Sequence, residues 1–356
     1  MTENAETTRE QAHGNEVIYT ADPTSRRFAL DELLAAAPGS RLIARLAPDV
    51  GRAALTIRWD DLVAYFREHP PIFCRHVFPV HVVVRLQQEA DDLDRLATAA
   101  TQFGSRVRPD EPFSVQTRIL GEGLPYAPYD INTRLSQVLI DAGGALDVRE
   151  PVWVLSVVLT SDVAFLGFSR AADNLSDWAG GARRFRREEG QISRAEFKLL
   201  EALEVFDLKL PEAGTALDLG AAPGGWTRLL LRRGLRVVAV DPADLAPVLQ
   251  DEPGVQHVRE LAQNYLPGLK AAFDIILNDM RVDAGESAIV MRQAIDVLKP
   301  GGWAVMTLKL PKHNLIETMA DALETLRVEY DVIGVRQLFH NRSEVTVALR
   351  RGKAQP

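Results

Sequence analysis

The stretch Asp218-Leu219-Gly220-Ala221-Ala222-Pro223-Gly224-Gly225-Trp226 places its glycines where a first strand should turn into a first helix. In an open α/β sheet small molecules bind beyond the carboxyl ends of strands, and glycines there let the backbone approach a ligand closely. Asp241 follows at the end of the next apolar run, residues 237–240, where a carboxylate can accept hydrogen bonds from ribose hydroxyls. The two features together imply a nucleoside-containing cofactor. A dinucleotide is the competing ligand, but its G-x-G-x-x-G spacing is absent. Further on, Lys309 interrupts an apolar strand, between Met306-Thr307-Leu308 and Leu310-Pro311. A charge in that setting is costly without a task. A lysine acts as a base only when neutral, a state favoured by partial burial and by cationic neighbours.

These residues need a frame that brings them together, and the periodicity from residue 193 onward supplies one. Ser193-Arg194-Ala195-Glu196 reads as a capping box opening a helix to about residue 206. Strands and helices then alternate over 215–219, 227–233, 236–240, 274–277, 287–298, 303–308 and 314–327, followed by two strands near 330–337 and 344–350. That is the pattern of a doubly wound, Rossmann-like α/β sheet.

The chain of 356 residues is long enough for more than this one domain. Residues 1–14 are polar and aperiodic and read as a disordered tail. Next come a strand at 16–21, a helix at 25–37, strand material at 41–57 with a turn at 48–51, a helix at 59–68 and a strand at 77–86. This predicts an α+β domain of ferredoxin-like type over 15–88. A second unit, 89–180, has a helix at 91–103, a strand at 113–120, a helix at 131–142 and a hairpin of strands 152–160 and 163–169 around Ser161-Asp162. Its order, with Leu146-Asp147-Val148-Arg149-Glu150-Pro151, resembles a THUMP domain, an RNA-binding module of RNA-modifying enzymes. Residues 173–191 have linker composition, and the catalytic domain spans 181–356.

Composition narrows the classes. Hydrophobic residues at 46% and charged residues at 25% are ordinary for a globular chain. The most apolar stretch, 152–168, is broken by Ser156 and by Thr160-Ser161-Asp162, and the first sixteen residues lack an apolar core, so neither a membrane span nor a secretory signal is expected. The single cysteine, Cys74, forbids an internal disulfide and a cysteine-rich metal site. A cytoplasmic monomer without a metal is expected. The net charge of -8 resides in the first half. Residues 1–180 carry 17 Lys and Arg against 25 Asp and Glu, while 181–356 carry 24 of each. Within the second half Arg183, Arg184, Arg186, Arg187, Arg194 and Lys198 form a basic cluster able to hold phosphates, although a solvated linker would look similar.

The Gly-Ala-Ala-Pro-Gly-Gly-Trp loop resembles that of the FtsJ-like family of S-adenosylmethionine-dependent 2'-O-ribose RNA methyltransferases. Such a family carries a Lys-Asp-Lys-Glu tetrad, and each member has a match in order: Lys198 in Phe197-Lys198-Leu199, Asp279 in Leu277-Asn278-Asp279-Met280, Lys309 in Leu308-Lys309-Leu310-Pro311 and Glu344 in Arg342-Ser343-Glu344-Val345. Within the family the chain is most similar to the large-subunit ribosomal RNA cytidine 2'-O-methyltransferases of the RlmM type, through its N-terminal arrangement, Lys309-Leu310-Pro311 and the run Arg336 to Val347. The resemblance implies S-adenosylmethionine held by Asp218, Gly220, Ala221, Pro223, Gly224, Gly225, Trp226, Asp241 and Asp279, and RNA, ribosomal RNA first, as the partner. Where the family has an acid for the adenine this chain has Leu261, leaving neighbouring Glu260 or backbone groups as candidates.

The roles follow from chemistry. A ribose hydroxyl is a poor nucleophile until its proton is all but removed, and Lys309 is the candidate base. Asp279 would hold Lys309 near the sulfonium, with Lys198 and Glu344 orienting the hydroxyl. Methylation at cytosine carbon 5 needs a cysteine nucleophile, and Cys74 lies far from this domain in sequence. Amino-group methylation usually uses an Asn-Pro-Pro-Tyr-like motif, and here the residues are Asn278-Asp279-Met280-Arg281. The alternatives are a transfer RNA 2'-O-methyltransferase and a non-catalytic RNA-binding factor that keeps the fold.

Overall fold

The computed structural model describes residues 10–11, 15–270 and 272–352, and the chain falls into two compact units, Met1–Arg183 and Arg184–Pro356. The first contains, in order, β1 (Glu10–Gln11), β2 (Glu16–Thr20), α1 (Arg26–Ala36), β3 (Arg41–Ala47), β4 (Val50–Ala54), α2 (Trp59–Glu68), β5 (His76–Pro79), β6 (Val82–Arg85), α3 (Asp92–Ala100), β7 (Phe113–Ile119), α4 (Pro128–Asp141), β8 (Trp153–Leu159) and β9 (Val163–Arg170). Its strands make a four-stranded sheet in the order β3-β4-β2-β5 and a five-stranded sheet in the order β1-β6-β9-β8-β7. The central strand β2 is buried along its whole length, whereas edge strand β3 alternates and turns Arg41 and Arg45 outward.

The run expected as one strand at 77–86 is two strands in two sheets. Val80 donates its amide to Glu16 of the first sheet, and His81 donates to Leu166 of the second. The chain changes sheet between these two residues. Gly167 permits the crossing, because a Cβ there would stand 1.8 Å from the Pro79 carbonyl oxygen. The sheet change therefore comes before the break expected near 88, and β6 belongs with β9. The tail expected at 1–14 lies outside the described residues except Glu10–Gln11, which pair with Val83 and Val82. The hairpin of β8 and β9 forms as expected.

The second unit runs α5 (Ala195–Val205), β10 (Gly214–Leu219), α6 (Gly225–Arg232), β11 (Leu235–Val240), α7 (Pro247–Gln250), β12 (Val255–Val258), α8 (Ala262–Tyr265), β13 (Phe273–Asn278), α9 (Ala284–Gln293), β14 (Leu298–Lys309), α10 (Leu315–Arg327), β15 (Tyr330–Arg336) and β16 (Glu344–Arg351). The strands form one mixed sheet in the order β12-β11-β10-β13-β14-β16-β15, in which β16 runs antiparallel to β14 and β15 and the other pairs are parallel. Apolar runs build the centre of this sheet: Ala216, Leu217, Ile276, Leu277, Ala304 and Val305 are fully buried. Leu199 and Ala202 of α5 and Leu230 of α6 join the core of the unit. Strand order reverses between β10 and β13, which opens a cleft at their carboxyl ends.

The capping box expected at the start of α5 takes a different form. Ser193 Oγ accepts the amide of Ala195 at 3.2 Å, and Glu196 Oε1 accepts that of Ile192 at 2.8 Å. Glu196 Oε2 is meanwhile 2.7 Å from Arg228 Nη1 of α6, an ion pair that turns the carboxylate away from the reciprocal geometry. The helix expected at 287–298 starts earlier, where Asp283 accepts the amide of Glu286 at 2.9 Å, and gives way to a tighter turn at Ala294–Val297.

Candidate active site

At the carboxyl edge of the sheet three strand termini and one helix bring the expected tetrad together. Asp279 follows β13, and its amide is tied to the Leu219 carbonyl at the end of β10 at 3.1 Å. Lys309 is the last residue of β14 and Glu344 the first of β16, and the two pair in register. Lys198 comes from the first turns of α5. Lys309 Nζ donates to Asp279 Oδ1 at 2.6 Å. Lys198 Nζ lies 3.2 Å from Asp279 Oδ2 and 2.7 Å from Glu344 Oε1. The four form a chain of alternating charge, Lys309, Asp279, Lys198, Glu344.

Burial would make these charges costly were they not paired. Glu344 is the most enclosed, with 7% of its side chain exposed, and Lys309 is the most open at 26%. Burial alone would lower the Lys198 ammonium, but Asp279 and Glu344 outweigh it and hold the group above the ordinary lysine value. For Asp279 burial pushes upward, and Lys309 and Lys198 override it, keeping its carboxyl below the usual carboxylate range.

One member of the cluster escaped the sequence reading. Thr307, fully buried, donates its hydroxyl to Asp279 Oδ1 at 2.6 Å and accepts from Lys309 Nζ at 2.8 Å. It precedes Lys309 by two residues in a strand and therefore shares its face. That alternation, a hydroxyl two positions before an out-of-place lysine, was the available signal. With Asp279 and Thr307 as partners, Lys309 has used two of its three donors.

Beside the cluster lies the glycine loop. Gly220 has φ +73, and a Cβ on it would stand 2.7 Å from the backbone of Met280. Only a glycine lets the end of β10 rest against the segment that carries Asp279. Gly224, at φ +106, opens α6, and Ala222-Pro223 between them is a cis peptide. Asp241, just past β11, accepts the amides of Ala222 at 3.0 Å and Ala243 at 2.8 Å, holding the loop while each oxygen keeps a further lone pair. Loop residues Gly220, Ala221, Pro223, Gly224 and Gly225 thus gather with Asp241 and Asp279 around the switch point of the sheet. A loop bare of bulky side chains, flanked by two carboxylates, fits a nucleoside that bears a positive charge.

The remaining expected ligands stand in different settings. Asp218 is buried within β10 and accepts the Thr227 hydroxyl of α6 at 2.6 Å; burial pushes its carboxyl up to about 7. Trp226 lies in the core, 3% exposed, its ring nitrogen donating to the Ala195 carbonyl at 2.6 Å, so it joins α6 to α5. Glu260 and Leu261 are both exposed beyond the end of β12, while the neighbouring Arg259 reaches Asp244 at 2.6 Å. Of the basic cluster, Arg184, Arg186, Arg187 and Arg194 are exposed. Among the described residues no helix is long and apolar enough to cross a membrane.

Residues 191–328 match the FtsJ-like methyltransferase family. The chain is 39% identical over 180 residues to the ribosomal RNA large subunit methyltransferase M of Halorhodospira halophila, a match spanning 49% of this chain and 51% of that protein. The match to the protein of the same name from Laribacter hongkongensis, at 39% identity, spans 53% of it, so the chain spans about half the length of these two relatives. The match to the protein of that name from Xylella fastidiosa strain M12 is longer, at 32% identity over 308 residues, 81% of this chain and 84% of the relative. Among solved structures, TrmN from Thermus thermophilus aligns with 95% of this chain and 99% of its own, at 18% identity and a TM-score of 0.40.

Proposed function

The chain belongs to the ribosomal RNA large subunit methyltransferase M family and carries an FtsJ-like methyltransferase domain, and from that premise we propose that it methylates the 2'-hydroxyl of a cytidine ribose in large-subunit ribosomal RNA. S-adenosylmethionine supplies the electrophilic methyl group on its sulfonium. The observation that carries this reading is the convergence of Lys309 and Lys198 on Asp279, with Glu344 closing the far side. A non-catalytic RNA-binding factor has no need of such an arrangement.

Each residue has a distinct task in the reaction. The backbone of Gly220, Ala221, Pro223, Gly224 and Gly225 would receive the cofactor, Asp241 would accept from its ribose hydroxyls, and Glu260 or backbone groups would meet its adenine. Lys309, the most exposed of the four, gives up its own ammonium proton to solvent and, as the neutral amine, takes the proton of the 2'-hydroxyl on the lone pair of Nζ. Lys198, anchored by two carboxylates, stays protonated and presents a fixed positive charge to the oxygen as it loses its proton. Asp279 holds both lysines and balances the positive charge of the centre. Proton removal of this kind contributes roughly 100- to 10,000-fold, and positioning supplies much of the remainder.

The N-terminal unit positions the RNA in this reading. Elements β2 to β5, with α1 and α2, follow a βαββαβ order with sheet order β3-β4-β2-β5, which supports the ferredoxin-like assignment. The five-stranded sheet is the THUMP-like part, and the exposed arginines after residue 183 face the phosphates. The protein acts as a monomer in the cytoplasm. The test is methyl transfer from labelled S-adenosylmethionine to large-subunit ribosomal RNA, together with a map of ribose methylation in cells with and without the gene. A transfer RNA that accepted the methyl while ribosomal RNA did not would move the substrate to the alternative.

A further inference from the structure

Glu201 lies close to one helical turn beyond Lys198 on α5 and is 3% exposed. A carboxylate so enclosed needs donors to replace its lost hydration. Three come from the loop between β15 and β16, residues 337–343. Its Oε1 accepts the amide of Phe339 at 2.7 Å, its Oε2 accepts the amide of His340 at 3.0 Å, and Nδ1 of His340 is 2.8 Å from Oε2. A neutral imidazole held this way carries its proton on Nδ1. Phe185, Phe197 and Phe339 surround the ring, with centroids 5.7, 5.2 and 5.2 Å away.

The same loop runs directly into the tetrad. Asn341 Oδ1 accepts the Leu338 amide at 2.7 Å and the Thr346 hydroxyl at 3.1 Å, tying the turn to β16. Glu344 then reaches Lys198 at 2.7 Å. Helix α5 therefore holds this connection twice on one face: Lys198 takes the carboxylate of Glu344, where β16 begins, and Glu201 takes the loop backbone and its histidine.

We propose that Glu201 is a positioning residue for the methyl-transfer centre, acting with His340 to seat the 337–343 loop so that Glu344 reaches Lys198. This rests on the tetrad reading above. The backbone of Glu344 is set on one side by pairing with Lys309 and on the other by this loop. A shift of the loop therefore passes to Lys198 and on to Asp279. Displacements of about 1 Å at a reacting centre cost on the order of 100-fold.

The experiment compares wild type, Glu201→Gln, His340→Phe and His340→Asn for kcat, for KM toward RNA and S-adenosylmethionine, and for Tm. Glu201→Gln is expected to lower kcat by about 10- to 100-fold with both KM values within about threefold of wild type. His340→Phe keeps an aromatic ring against Phe185 and Phe197 but removes the donor, and it should fall in the same way. His340→Asn keeps an N–H donor near the Nδ1 position and should retain most of kcat. A wild-type kcat in Glu201→Gln, or an active Phe variant beside an inactive Asn variant, overturns the proposal and assigns the cluster to packing. If Glu201→Gln does not fold, the two His340 variants decide the matter. A wild type that methylates no RNA overturns the tetrad reading and this inference with it. An active wild type, an inactive Lys309→Ala and an unimpaired Glu201→Gln overturn this inference alone.

Discussion

Lys309 and Glu344 stand opposite each other across β14 and β16, yet each forms its ion pair with another partner. The ammonium of Lys309 turns to Asp279, and the carboxylate of Glu344 turns to Lys198. The lysine at the cleft is thereby bound to one carboxylate, while the one behind it is bound to two.

Lys309→Ala removes the base and should reduce methyl transfer by roughly 100- to 10,000-fold. The side chain is the least buried of the four, so the fold should survive and calorimetry should show cofactor affinity near wild type. Retained turnover in a folded Lys309→Ala protein would eliminate this lysine as the proton acceptor.

The charge cluster also predicts how stability depends on pH. The Asp279 carboxyl lies below its ordinary range in the folded protein, so its contribution is present above about pH 4 and is lost as the pH falls through the folded value. The Lys198 value is raised, so its contribution is present below about pH 10 and is lost as the pH climbs through the folded value. Asp279→Asn should lose about 3 kcal/mol or more at neutral pH, because it strips a partner from two enclosed ammonium groups, and should flatten the acid limb. Urea unfolding of both proteins across the pH range measures this. An unchanged acid limb in the variant would count against the pairing.

Asp218 behaves in the opposite sense. Burial raises its carboxyl to about 7, above the unfolded value, so its contribution is full below about pH 4 and is lost as the pH rises through 7. In Asp218→Asn the amide oxygen can still accept the Thr227 hydroxyl, and no charge forms. The variant should therefore gain stability relative to wild type as the pH rises from about 4 to about 7, read from denaturation midpoints. A constant difference between the two proteins across that range would show that the burial of this acid does not govern its titration.

Gly220→Ala tests the loop. A Cβ there meets the Met280 backbone at 2.7 Å, at a φ of +73 that disfavours side chains. The strained conformation alone costs about 1 to 3 kcal/mol, and relief requires moving the loop away from the segment that bears Asp279. Cofactor affinity should fall by about tenfold or more, with a lower Tm. Cofactor affinity equal to wild type in isothermal titration would show that the close approach is dispensable.

Some of this was written locally in the chain. Glycines at a strand-to-helix turn, an acid after the next apolar run and a lysine interrupting an apolar strand each break a short-range pattern, so Gly220, Asp241 and Lys309 were legible, as was the alternation of the C-terminal sheet. The single run at 77–86 misled, because two strands of different sheets that follow one another without a turn signal look like one. Trp226 and Asp218 belong to the same motif yet turn their side chains into the core, because a motif specifies a stretch of chain without saying which way each side chain faces.

Pairing was decided only by the tertiary structure. The last strand, β16, inserts between β14 and β15 instead of adding to the edge, and this brings Glu344 opposite Lys309 and within reach of Lys198. Glu201 and His340 are 139 positions apart, and no window of sequence contains both. Residue spacing encodes the period of each element, whereas the partner of a buried charge depends on the order in which the elements pack.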